Sequence, residues 1–218
     1  MKTIPSKMKF LLPPGILIFL LVLVSFIPSK QVSLSTDSIS PLAGYSADWN
    51  DARYLKCNTA IGANYMTPAE KEVIYILNLA RMNPVLFANT VIKKYPASHS
   101  DYYSSLLKTM LTLKPVELLY PDSLCFAGAL CHAVNSGAEG YVGHTRSTEE
   151  CKKKWYYNGE CCDYGHHKPL DIIMSLLIDE GVSSVGHRNI CLSSYKRIGV
   201  AIRPHQLYRH TAVLDFHY

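Results

Sequence analysis

From Thr67 onward the apolar residues fall at helical spacing, and only near the end of the chain does the spacing shorten to two. In "TPAEKEVIYILNLARMNP", Val73, Ile76, Leu77 and Ala80 line one face of a helix. Thr67 is placed to cap it, Pro68 suits its first position, and Glu70 completes a capping box. Asn83-Pro84 stops this helix and caps a second, "PVLFANTVIKKY". Pro96 to Leu113 reads as a polar, Tyr- and Ser-rich loop with a short helix. The helical period returns in "YPDSLCFAGALCHAVNSGAEGYVGH", where Leu124, Ala127, Cys131 and Val134 share a face and glycines at 137, 140 and 143 end it. "KPLDIIMSLLIDEG" predicts a further helix, with Ile173, Leu176 and Leu177 inward and Gly181 as its stop. Then "RIGVAIRP" alternates Ile198, Val200 and Ile202, and "HTAVLDF" alternates Ala212, Leu214 and Phe216. The five residues between these runs predict a hairpin. Helices first and an antiparallel sheet late is an α+β pattern.

The start of the chain follows a different rule. Lys2, Lys7 and Lys9 precede an uncharged apolar run from Phe10 to Ile27, the layout of a secretory signal. The run is near the length that spans a bilayer, so an uncleaved anchor is the competing reading; Pro13-Pro14 weakens it by breaking the helix early. Both readings place the rest of the chain outside the cytoplasm, secreted or held at the membrane through residues 10–27. Residues 1–30 are thus a signal or anchor, 31–65 an extended arm with little periodicity, and 66–218 the folded domain.

Export changes how the charge is read. The chain carries +5, but four of its lysines and no acid lie in the first thirty residues, which leaves +1 for the remainder. That is too little to argue for nucleic acid or an anionic membrane as partner. All seven cysteines lie in the exported part, where disulfides are permitted, and an odd number leaves at least one thiol free or paired between chains. Their spacings match no zinc-ribbon pattern.

Two Gly-His steps carry the candidate chemistry. "GYVGHTR" places His144 just past one helix, and "SSVGHRN" places His187 just past another. Between them "NGECCDYG" presents Glu160 in a Gly-flanked stretch, and Asp179-Glu180 close the preceding helix. Two imidazoles with two carboxylates suit a divalent metal such as zinc, and equally a general acid and base. His166-His167 is a weaker alternative ligand pair, and Ser183-Ser184 lack the Gly-x-Ser-x-Gly setting of a serine nucleophile.

Taken in order, "LNLAR", "GH", "GE", "YG", "LLIDEGV", "GHRN", "IGVAI" and the final "V.DF" resemble the cysteine-rich secretory protein, antigen 5 and pathogenesis-related family, the CAP or SCP domain, in its microbial branch. The resemblance covers roughly Thr67 to Tyr218. It implies a three-layer α-β-α sandwich with a central antiparallel sheet and a surface cleft in which two His and two acids bind a divalent cation. By motif, His144 is the first His, Glu160 the first acid and His187 the second His; the second acid is Asp179 or Glu180. The chain departs from the pattern where Cys161-Cys162 replace the usual Asn after the Glu, which puts the rigidity of the Glu160 loop in doubt. Cys151 paired with Cys161 or Cys162 restrains that loop on one reading; on the other these are buried thiols.

Two functions of different class follow. One is a non-catalytic exported module that binds a sterol, another lipid or an extracellular partner protein beside a cation-capable cleft, without an organic cofactor. The other is a metal-dependent hydrolase using Glu160, Asp179 or Glu180 as base on a metal-bound water. The sequence carries no substrate-defining motif and no oxyanion donor for the second. A surface-anchored structural module is a third reading, tied only to the N-terminal segment.

Overall fold

A computed structural model describes residues 39–218. The apolar run at 10–27 and the start of the arm lie outside the described residues. Among the described residues no helix is long and apolar enough to cross a membrane.

The capping box forms as the spacing requires. Thr67 accepts from the Glu70 backbone N–H and Glu70 accepts from the Thr67 N–H, opening α1 (Pro68–Met82). All four expected inward residues are buried, but so are Ile74, Tyr75 and Leu79, because α1 is surrounded by other elements rather than lying on the surface. Asn83 caps α2 (Pro84–Thr90), as expected. The polar stretch that reads as a loop with a short helix holds α3 (Asp101–Thr112), a full three-turn helix that buries only Tyr103, Leu106 and Met110. Residues 39–66 are not a loose arm. They fold through 3-10 turns at Ala47–Asn50 and Ala52–Cys57, and they send Leu42, Trp49, Tyr54, Cys57 and Met66 into the core. Ser46 and Asp51 cap those turns, a local device that leaves no hydrophobic period to read.

The sheet has four strands, β1 (Tyr120–Pro121), β2 (Gly159–Tyr164), β3 (Arg197–His205) and β4 (Arg209–His217), in the order β1-β3-β4-β2. The β3–β4 hairpin is antiparallel as expected, with a three-residue rather than five-residue connection, since both strands run further than their apolar alternation. The sheet is mixed rather than wholly antiparallel, because the short β1 pairs parallel with β3. The architecture is α+β.

Helix α4 (Ser123–Glu139) reverses the expected orientation. Leu124 and Val134 are exposed, while Cys125, Ala129, His132, Ala133, Ser136 and Gly137 are buried. The cause is close approach: a Cβ on Gly199 of β3 would overlap the Cys125–Phe126 peptide, and one on Gly137 would overlap the Pro204 carbonyl. Small residues let the helix backbone sit against the strands, which decides the buried face over side-chain size. Gly199→Ala is therefore expected to cost toward the upper end of ~1–3 kcal/mol in urea unfolding, since backbone atoms cannot step aside; an unchanged midpoint would mean the helix does not lie where it is drawn. Gly140, in the left-handed region, ends α4.

The other face of the sheet meets α6 (Pro169–Ile178) and α7 (Gly186–Cys191), both in contact with β2. Helix α6 ends at Ile178, earlier than Gly181, because Asp179 itself adopts the left-handed conformation.

Candidate functional site

Strand pairing places the first acid. Residues 159–164 read as a Gly-flanked loop but form edge strand β2, with Glu160 opposite Asp215 of β4. Glu160 is held by the β-ladder, so the missing Asn does not leave it loose. Its side chain points to the α4 face, among Arg146, Asp215 and His132.

This buried group is the best-connected polar cluster on that face. Arg146 Nη2 donates to Glu160 Oε2 at 2.6 Å and to Asp215 Oδ2 at 2.9 Å, Nη1 donates to the Gly128 carbonyl, and the guanidinium lies over the Tyr157 ring. Burial works against the Arg146 charge, but Asp215 and Glu160 hold its pKa above the ordinary value. Burial alone would raise Glu160; the His144 hydrogen bond and the nearby positive charge outweigh it and hold the carboxyl low. Asp215 goes the other way, pushed up to about 9 by burial and by the Glu160 charge beside it. Within the cluster Glu160 is the carboxyl held toward its charged form beside Arg146, and Asp215 the one pushed toward its neutral form.

On Glu160 rests the first imidazole. His144 Nδ1 donates to Glu160 Oε1 at 2.8 Å, and this hydrogen bond raises its pKa. His144 sits in the loop after α4, and half of its side chain is open to solvent.

The second imidazole is built the same way. Asp179 closes α6 in the left-handed conformation and accepts from His187 Nδ1 at 2.8 Å and from the His187 backbone N–H at 2.9 Å. Arg188, from the same Gly-His-Arg step, is buried and donates to the Leu177 and Ile178 carbonyls, so it fixes the start of α7 to the unpaired end of α6. Arg81 of "LNLAR" holds the other end of α7 through the Cys191 and Ser193 carbonyls. The adjacent acid takes another partner: exposed Glu180 accepts from Ser100 Oγ at 2.5 Å. Asp179, not Glu180, is the acid that holds His187.

The two dyads approach from opposite faces of the edge strand and meet with ring centres 5.9 Å apart. Each ring has its Nδ1 on a carboxylate, which leaves each Nε2 with its lone pair. Two imidazoles sharing a zinc-like ion have ring centres roughly 5–6 Å apart, given Zn–N bonds of ~2.0–2.1 Å. At 5.9 Å the two rings lie at the upper end of that range, and each carboxylate holds the ring beside it. A cleft of about 380 Å³ opens beside His187, with an apolar side formed by Leu176, Ile178 and Val182 and a polar side that includes Asp163, His166 and Glu180.

A second donor set lies deeper. His132, Glu160 and Cys162 bring one N, one O and one S within 4.8 Å of one another, a group that could hold a metal ion. His132 is committed to the Gly143 carbonyl at 2.9 Å and burial lowers its pKa. His166, weighed as an alternative ligand, points its Nδ1 at Asp163 in the cleft wall, and His167 lies tilted against His210 with ring centres 4.8 Å apart.

Sequence reasoning missed Arg146, Asp215 and His132, and weighed Cys162 only as a disulfide partner or a buried thiol. Only Asp215 left a signal, as a charge inside an otherwise apolar strand run. The disulfide also falls elsewhere: Cys151 pairs with Cys131, Cα–Cα 5.5 Å, and Cys161 and Cys162 are free and buried. Helix α5 (Glu149–Lys153) carries Cys151 onto α4, which holds Cys131. Comparison with protein-family models, with curated proteins and with solved structures gives no match for this chain.

Proposed function

We propose that this chain is an exported CAP/SCP-type domain whose His144–His187 cleft binds a divalent cation, with zinc the first choice. The observation that carries the reading is the matched pair of dyads, His144–Glu160 and His187–Asp179, with ring centres 5.9 Å apart. The finer architecture, an α-β-α sandwich, is supported by α4 packing on one face of the sheet and α6 and α7 contacting β2 on the other. Export rests on the basic leader and the apolar run before Ile27.

A binding role has more support than hydrolysis. Glu160 gives one oxygen to His144 and the other to Arg146, and Asp179 gives one to His187 Nδ1 and the other to a backbone N–H. Every oxygen of the two carboxylates already accepts a hydrogen bond that holds an imidazole or the fold, so taking a proton from a metal-bound water would compete with those bonds. The cation then serves to order the cleft, whose Leu176, Ile178 and Val182 side would face the apolar part of a sterol, another lipid or an extracellular protein, with Asp163, His166 and Glu180 left for its polar groups.

The two adjacent acids give the test. Asp179→Asn should weaken zinc binding about 10–100-fold in calorimetry, because His187 loses the carboxylate that fixes its tautomer. Glu180→Gln should leave affinity unchanged. Equal effects, or a larger loss at Glu180, would reject the dyad reading.

A further inference from the structure

Two buried thiols, Cys161 and Cys191, sit at the join between β2 and α7. Cys161 is the middle residue of Glu160-Cys161-Cys162, so strand alternation turns it away from the α4 face that takes its two neighbours. On its own side it meets α7: its Sγ lies 3.6 Å from the carbonyl of His187, one helical turn before Cys191. Cys191 is the last residue of α7, and both cysteines are fully buried. Cys162 belongs to the opposite face, near His144, and Cys151 is already bonded to Cys131. The remaining free cysteines, Cys57 and Cys125, make their sulfur contacts elsewhere, with Met82 and Tyr156.

We propose that Cys161 and Cys191 form a second disulfide that ties β2 to α7. The sulfurs must close to a bond of ~2.05 Å. The oxidant is a small or protein disulfide of the export compartment. One cysteine thiolate attacks that disulfide, forms a mixed disulfide and releases one thiol; the other thiolate displaces the second. Two protein thiols lose two hydrogens, and one oxidant disulfide becomes two thiols. Exchange takes place while the chain folds, because both sulfurs are out of reach of an oxidant once α7 has packed, and burial then pushes the Cys161 thiol well above its usual range.

The consequence for the cleft rests on the cation-binding reading; the bond itself does not. Glu160 is next to Cys161 and His187 starts the helix that Cys191 ends. A covalent link between those two cysteines would hold one dyad in register with the other, although the dyads come from opposite faces of the strand.

The bond can be read directly. The full chain, folded with oxidised glutathione, is alkylated under denaturing conditions without reduction and digested with trypsin. Cleavage gives Trp155–Arg188, which holds Cys161 and Cys162, and Asn189–Lys196, which holds Cys191. The expected product is these two peptides joined and two hydrogens lighter than their sum, alongside the joined Thr109–Arg146 and Ser147–Lys152 pair that reports Cys131–Cys151. Cys162→Ser should keep the new link, which assigns it to Cys161. An alkylated Asn189–Lys196 peptide in protein whose Cys131–Cys151 bond has formed would overturn the proposal. So would a link that disappears in Cys162→Ser.

Discussion

Arg146→Met should destabilise the domain by about 3–5 kcal/mol at pH 7, the largest stability loss expected of any single change near the site. Met keeps most of the aliphatic bulk, so the loss reports the guanidinium and not a cavity. Without it, the Glu160 carboxylate stays buried with no counter-charge, and Asp215 Oδ2 and the Gly128 carbonyl lose their donor. The pH dependence identifies the cause. In the parent, Glu160 is held low, so its contribution is present above the unfolded value of ~4.3 and is lost as the pH falls through its folded pKa. Asp215 is raised to about 9, so its contribution is complete below ~3.9 and declines as the pH rises toward 9. Removing Arg146 takes away the charge that lowers both, so Glu160 also moves upward. The variant should then lose stability more steeply than the parent between about pH 5 and 7. Urea unfolding at three pH values measures this, and a variant within about 1 kcal/mol of the parent at pH 7 would show that the cluster is not a charge-balanced unit.

The same cluster explains what the sequence does and does not disclose. A capping box, a Pro at a helix start and a two-residue period are local patterns, so α1, α2 and the β3–β4 hairpin are legible in the chain. The two Gly-His steps are legible for the same reason, each lying just past an apolar helical run. Strand β2 is not, because Glu160 to Asp163 are buried on both faces and show no alternation. The inward face of α4 is not legible either, since backbone contact at Gly199 and Gly137 outweighs the larger Leu124 and Val134. Choosing between Asp179 and Glu180 needed the left-handed turn at Asp179, which the adjacent Gly181 hides by being the more obvious helix stop. Arg146 and Asp215 are 69 residues apart and become partners only through the sheet and the loop after α4.

Replacing both His144 and His187 with Ala should abolish zinc binding and leave the fold intact. His144 is half exposed, and both rings lean on carboxylates that keep other partners when the rings are gone: Glu160 keeps Arg146, and Asp179 keeps the backbone N–H of residue 187. The loss of affinity is therefore separable from the loss of stability that Arg146→Met produces. In the parent, binding should weaken as the pH falls through the histidine range near ~6.5, because a protonated imidazole cannot ligate. The hydrogen bond from His144 to Glu160 raises that residue's pKa, so proton competition begins at a higher pH than for a free imidazole.

Zinc calorimetry on the parent and the His144→Ala/His187→Ala variant at pH 7.5, with unfolding curves recorded on both, tests the cleft most directly. The two-dyad geometry predicts saturable binding in the parent, no heat of binding in the variant, and superimposable unfolding curves. Undiminished binding in the double variant would place the ion elsewhere in the chain, and unfolding of the variant would make the two histidines supports of the fold instead of ligands.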